Sequence, residues 1–325
     1  MKRARWGLMA GAAALAAILF AADQVRSADP VTIAVTAIVE HPALDAVRDG
    51  VRDELEAEGY VQGKDLTFIY ESAQGNPATA AQIARKFVGE NPTAIVPIST
   101  PSAQAVVAAT QDIPVVFTAV TDPLDAKLVS SMEKPGGNVT GMSDMAPAGK
   151  QLALIREILP NAKTIGMPYN PGEANGVTLL NLAKKEATGL GFTVIEAPAA
   201  KSSDVLAAAQ SLVGKVDAIY VSTDNQIVSA FESVVKVGVD NQIPVFAGDT
   251  DSVGRGAIAA IGFDYYDVGR QTGKIVVRVL KGEKPGDIPV QGVETVQLYV
   301  NPGAAKAMGV TIPDAVLQRA KKVVQ

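Results

Sequence analysis

From Val31 onward, short apolar runs rich in β-branched residues alternate with longer stretches whose apolar positions fall at helical spacing. That alternation is the mark of βαβ units wound around parallel sheets. Strands are predicted over residues 31–38, 65–71, 93–98, 114–118, 164–169, 192–196, 217–222, 244–247 and 257–262, with a C-terminal strand over 296–300. Between them, Leu44, Val47, Val51 and Leu55, then Ala81, Ile83, Ala84 and Phe87, recur as core-facing helix stripes. A further amphipathic helix is predicted over 266–280.

The order of elements repeats. Thr32-Ile33-Ala34-Val35 matches Thr164-Ile165-Gly166-Met167, and Ala94-Ile95-Val96 matches Ala218-Ile219-Tyr220, each leading to Ser-Thr at Ser99-Thr100 and Ser222-Thr223. Ile113-Pro114-Val115-Val116 matches Ile243-Pro244-Val245-Phe246, each followed by Thr-Asp at Thr121-Asp122 and Thr250-Asp251. Three ordered matches at a nearly constant offset point to duplication. The fold class is therefore α/β, with two doubly wound parallel-sheet lobes and a cleft where the carboxyl ends of the strands face each other. The expected organisation is a signal peptide over 1–27, lobe 1 over 28–142 plus 265–288, and lobe 2 over 143–264 plus 289–325. Pro135-Gly136-Gly137-Asn138 reads as the first crossover, Gly262-Phe263-Asp264 as the second, and the loop 281–286 leads to a third.

Composition fits this picture. Apolar residues make up 48% of the chain and charged residues 19%, so each lobe can bury an aliphatic core. Lys2, Arg3 and Arg5 precede an unbroken small-apolar run from Trp6 to Ala22, the pattern of a secretory signal peptide; a membrane anchor is the competing reading, and the run is short for one. Val25 and Ser27 suit a cut after residue 27, with cuts after Ala22 or Ala28 as alternatives. Removing 1–27 takes away four positive charges and one negative, moving the net charge from −5 to −8. No basic stripe remains for nucleic acid. Without cysteine there is no disulfide, thiolate nucleophile or lipoprotein anchor, so a freely soluble periplasmic protein is expected.

No phosphate loop, dinucleotide fingerprint or nucleophile elbow occurs, and His41 is the only imidazole, so neither an enzyme nor a cofactor is expected. Asp249, Asp251 and Gly254 faintly resemble a calcium loop, but Ala260 stands where its closing Glu belongs, and turn chemistry explains them better. The loops after the matched strands carry more. Ser99, Thr100 and Ser102 surround Pro101 at a helix start, a corner of free N–H groups and hydroxyls suited to a carboxylate. Its counterpart, Thr223-Asp224-Asn225, adds a negative charge, and the pair suits a zwitterion such as an α-amino acid, although each corner alone also reads as an ordinary N-cap. Thr121 with Asp122, Tyr169-Asn170 with Glu173 and Asn175, Asp249 and Tyr265 complete the candidate site; Phe117 and Tyr266 are further aromatic candidates for its walls.

Residues 93–105 (TAIVPISTPSAQA), the Tyr169-Asn170-Pro171 run with Glu173 and Asn175, the corner at 222–225, residues 256–273 and the tail 301–320 resemble one family across the whole mature chain. It is the ABC transporter substrate-binding family that includes tryptophan- and phenylalanine-binding members. The resemblance implies the type I periplasmic-binding-protein fold, closing on a small molecule and docking to an inner-membrane permease; a monomer is expected. Within it, Ser99, Thr100 and Ser102 are expected to hold a carboxylate and Asp224 or Asp249 an ammonium. A periplasmic sensing module handing occupancy to a membrane receptor, or an importer component for another small solute, is the alternative.

Overall fold

The structure is a computed structural model that describes residues 30–293 and 295–324. The expected signal segment lies outside the described residues.

Five strands build the first sheet in chain order: β1 (Val31–Ala37), β2 (Leu66–Ser72), β3 (Ala94–Ile98), β4 (Val115–Val120) and β5 (Val139–Ser143). The second repeats the plan with β6 (Thr164–Tyr169), β7 (Thr193–Pro198), β8 (Ala218–Val221), β9 (Val245–Ala247) and β10 (Ala259–Gly262). The chain then returns to the first sheet for β11 (Gln291–Gly292) and ends in the second with β12 (Gln297–Val300) and β13 (Lys322–Val323). The spatial orders are β11-β5-β4-β3-β1-β2 and β13-β12-β10-β9-β8-β6-β7. All pairings within these sheets are parallel except β10 with β12. The central five strands share one order in both sheets, so the repeat visible in the sequence is a repeat of topology. This is the type I periplasmic-binding-protein architecture.

β3, β4 and β5 are buried along their whole length, which is why they read as continuous apolar runs rather than alternating ones. Two sequence expectations need correction. The Pro135–Asn138 stretch is not a crossing: β5, which follows it, pairs with β4, and the chain leaves the first sheet only after Ser143. Residues 289–292 likewise remain with the first sheet, because β11 pairs with Met142 and Ser143. A two-residue strand is too short to leave a periodic signal.

Past the second crossing, helix Tyr265–Leu280 packs along helix Pro42–Ala57. Glycine makes the approach possible. A Cβ on Gly50 would fall inside contact distance of the Tyr266 carbonyl oxygen and 2.9 Å from the Arg270 nitrogen; one on Gly269 would meet the Val47 backbone. The two backbones therefore touch, and the buried Glu54 pairs with Arg270 at 2.7 Å beside them. Both helices start at the cleft, so this contact fixes Leu44 relative to Tyr265.

Candidate functional site

A small cavity lies between the lobes. Lobe 1 lines it with His41, Ala43 and Leu44 after β1, Ala119 and Thr121 at the end of β4, Asp144 after β5, and Tyr265. Lobe 2 contributes Asn175 after β6, Thr223, Asn225 and Val228 after β8, and Asp249 after β9. The end of β4 is irregular: its register shifts between Phe117 and Val120, and Ala119 takes a φ of +51°, an unusual conformation for a residue with a Cβ. That kink turns Ala119 and Thr121 toward the cavity.

Strand order gives the cavity a direction. Asp144, Thr121, Tyr265 and Asp249 stand at the crossing end, on β5, β4, the second crossing and β9. His41 and Leu44 follow β1, three strands from β5, roughly 14 Å away at the usual strand spacing. Asn175 follows β6, two strands from β9. One end of the cavity is acidic and the other is neutral.

Asp144 is fully buried. Its Oδ2 accepts a 2.7 Å hydrogen bond from the Tyr265 hydroxyl, while Oδ1 has no partner among the described residues. Burial pushes its carboxyl up to about 6, opposed chiefly by the hydrogen bond from Tyr265. Asp249 is also raised by burial, but both its oxygens are occupied, by Ser252 N at 2.8 Å and Ser252 Oγ at 2.7 Å. At the neutral end, burial, reinforced by the Arg255 charge, lowers His41 to about 3 and keeps the ring uncharged.

Of the residues singled out in sequence, Thr121, Asn175, Thr223, Asn225, Asp249 and Tyr265 line the cavity. Asp224 does not. Its Oδ1 caps helix Asn225–Ser229 by accepting from Gln226 N and Ile227 N, and its Oδ2 accepts from Asn170 N at 2.6 Å. Burial and the nearby Glu173 carboxylate raise its pKa. With three backbone donors committed to it, it is a structural carboxyl group, which corrects the expectation that it faces the ligand. Glu173 is similarly enclosed by Asn170, Asn175, Asn225 and Gln226. Asn170 and Glu173 border a separate outer groove.

Ser99, Thr100 and Ser102 are buried and their hydroxyls have no partner among the described residues, yet they are not in the cavity lining. They sit at the end of β3, where Ser99 takes a φ of +79° and its N–H donates to Thr118 O. Asp122 closes its own turn through Leu124 N and Asp125 N. Tyr169 donates to Glu196 at the sheet edge, Phe117 lies in the lobe 1 core, and Tyr266 is exposed and donates to Asp53. Arg255, the one arginine near the cleft loops, is held by Glu232 and the Val228 carbonyl.

Sequence reasoning missed Asp144 and Leu44. Asp144 lies on the crossing itself, outside the matched repeats, and only the Ser-Asp ending of a buried strand marks it.

Hydrogen bonds between the lobes across the cleft include Gln226 Nε2 donating to Gly75 O at 2.8 Å and Thr178 Oγ1 donating to Asp125 at 2.6 Å. The family described as ABC transporter substrate binding protein matches residues 32–324. The chain belongs to that family. A tyrosine-binding protein of Clostridioides difficile (strain R20291) is 42% identical over 85% of this chain and 80% of its own length. A solved ABC domain from Streptococcus pneumoniae in complex with L-Trp is 37% identical, covers 91% of this substrate-binding protein and 100% of its own chain, and superposes with a TM-score of 0.88. A ligand-free, open substrate-binding protein with adhesive properties from Clostridium difficile is 40% identical over 91% of this chain and 99% of its own, yet its TM-score is 0.68. At nearly equal identity, this substrate-binding protein superposes more closely on the L-Trp complex than on the open, ligand-free structure. Among the described residues, no helix is long and apolar enough to cross a membrane, and no cluster of ligating side chains could hold a metal.

Proposed function

We propose that this chain is the exported, monomeric solute receptor of an ABC importer, carrying an aromatic amino acid as its zwitterion to the permease. Asp144 carries the reading: a fully buried carboxylate with one oxygen unpartnered among the described residues, lining the interlobe cavity. A ligand ammonium completes it, since a buried charge left unpaired is costly. The carboxylate is bonded to the same carbon, so it falls beside the ammonium, against the ends of β4 and β3. There Thr121, which lines the cavity, offers a neutral donor. The side chain then runs toward Leu44 and Val228. Relatives whose names specify tyrosine and L-Trp support the aromatic class.

Export rests on the N-terminal basic and apolar pattern, and the absence of cysteine argues against a lipid anchor. One chain encloses the whole cavity, which supports the monomer. Calorimetric titration against L-tyrosine, L-tryptophan and L-phenylalanine tests the ligand. At least one is expected to bind at about micromolar Kd or tighter. Tyramine and 3-(4-hydroxyphenyl)propanoate, each missing one charge, are expected to bind at least about a hundredfold more weakly than tyrosine. No binding below millimolar by any of the three amino acids overturns the reading.

A further inference from the structure

We infer that the neutral end of the cavity selects an aromatic side chain ending in a hydrogen-bond donor, a phenol or an indole N–H, over a plain phenyl ring, through the side-chain oxygen of Asn175. The inference rests on the amino-acid reading above.

The side chain of Asn175 is buried, with 4% of the residue exposed, and lines the cavity. Its orientation is decided by its partners. The Nδ2 group donates to Glu173 Oε2 at 3.3 Å and to the Thr223 carbonyl at 3.2 Å, and both of those can only accept. Turning the amide over would set oxygen against oxygen. Oδ1 is thereby left without a partner among the described residues, as is Thr223 Oγ1. Glu173 is the positioning residue behind this, itself held by Asn225 Nδ2 at 2.5 Å and by Gln226 N at 3.2 Å.

Strand order places this acceptor away from the charged end: Asn175 follows β6, two strands from the one that carries Asp249. An amino acid anchored by its ammonium at Asp144 therefore brings the tip of its side chain, not its charged groups, to Asn175. A ring ending in C–H leaves the buried oxygen unsatisfied, whereas O–H or N–H completes it.

Titration of the purified protein with L-tyrosine, L-phenylalanine and O-methyl-L-tyrosine tests this without any substitution, because the ether keeps the oxygen and loses only the donor. Tyrosine is expected to bind roughly ten- to a hundredfold more tightly than either of the others. In Asn175→Leu, checked for folding by its melting transition, the tyrosine-to-phenylalanine ratio is expected to fall to within about threefold of unity. Equal affinity for tyrosine and phenylalanine in the unmodified protein overturns the inference while leaving the amino-acid reading standing. Failure of these three and of L-tryptophan to bind overturns both.

Discussion

The two lobes share a topology but hold their halves of the cavity by different means. In lobe 1 the helix that follows the second crossing lies backbone to backbone on helix Pro42–Ala57, with Gly50, Gly269 and Gly273 at the contact. Its counterpart in lobe 2, Ala148–Ile158, packs on Ala174–Gly189 with no such glycine seam: a Cβ on Gly149 would meet only the flexible end of Glu186, at 3.0 Å. Lobe 2 instead fixes its loops with buried carboxylates, Glu173, Asp224 and Asp249, each spent on backbone or side-chain donors. One lobe is set by steric contact and the other by hydrogen bonds. The acid with an oxygen to spare, Asp144, sits on the segment joining them.

The largest expected effect breaks the steric side. Gly269→Ala drives a Cβ into the Val47 backbone and is expected to cost about 3 kcal/mol or more, whereas Gly149→Ala at the equivalent helix of lobe 2 should stay within about 1 kcal/mol of neutral. Denaturant unfolding of both variants measures the contrast; equal losses would show that the glycine seam is not what distinguishes the lobes.

Asp144→Asn separates stability from function. The carboxyl has a folded-state pKa of about 6 against 3.8 in an unfolded chain, so the folded protein holds that proton more tightly. Its stabilising share is present below about pH 4 and is lost as pH rises toward 6. Ligand-free Asp144→Asn is therefore expected to be more stable than the parent at pH 7.5 by about 2 kcal/mol, with the difference vanishing near pH 4. Asp249 and Asp251 are raised as well, so only the difference between the two proteins isolates Asp144. A variant that is less stable at pH 7.5 contradicts the assignment of Asp144 as a strained, unpaired carboxylate.

A smaller effect follows in binding. An ammonium ligand needs the ionised carboxylate, so affinity should be flat above about pH 6 and fall by up to about tenfold per unit below it. Titrations at pH 5, 6 and 8 would reveal it, and a profile flat through pH 5 would remove Asp144 from the binding site.

Much of the fold was legible because parallel strands buried on both faces write themselves as apolar blocks, and because the second lobe writes them again. Even so, Asp224 was misjudged for a physical reason. An acid after a strand looks the same in sequence whether it faces a ligand or caps the next helix, and here three backbone N–H groups claim it. The Ser99 corner shows the same ambiguity from the other side, its hydroxyls buried and unpartnered among the described residues but outside the lining. Asp144 escaped notice because crossings lie outside the repeat that guided the search. The neutral end depends on which way an amide faces, and that is decided by Glu173 and the Thr223 carbonyl, contacts no spacing rule encodes.

The most direct measurement titrates L-tyrosine into Asp144→Asn and Asp224→Asn side by side, with unfolding curves to confirm that both are folded. Asp144→Asn is expected to lose at least about a hundredfold in affinity and Asp224→Asn less than about tenfold, its effect showing in stability instead. The reverse order, with tyrosine binding surviving at Asp144→Asn and collapsing at Asp224→Asn, would contradict the placement of the ammonium at the crossing.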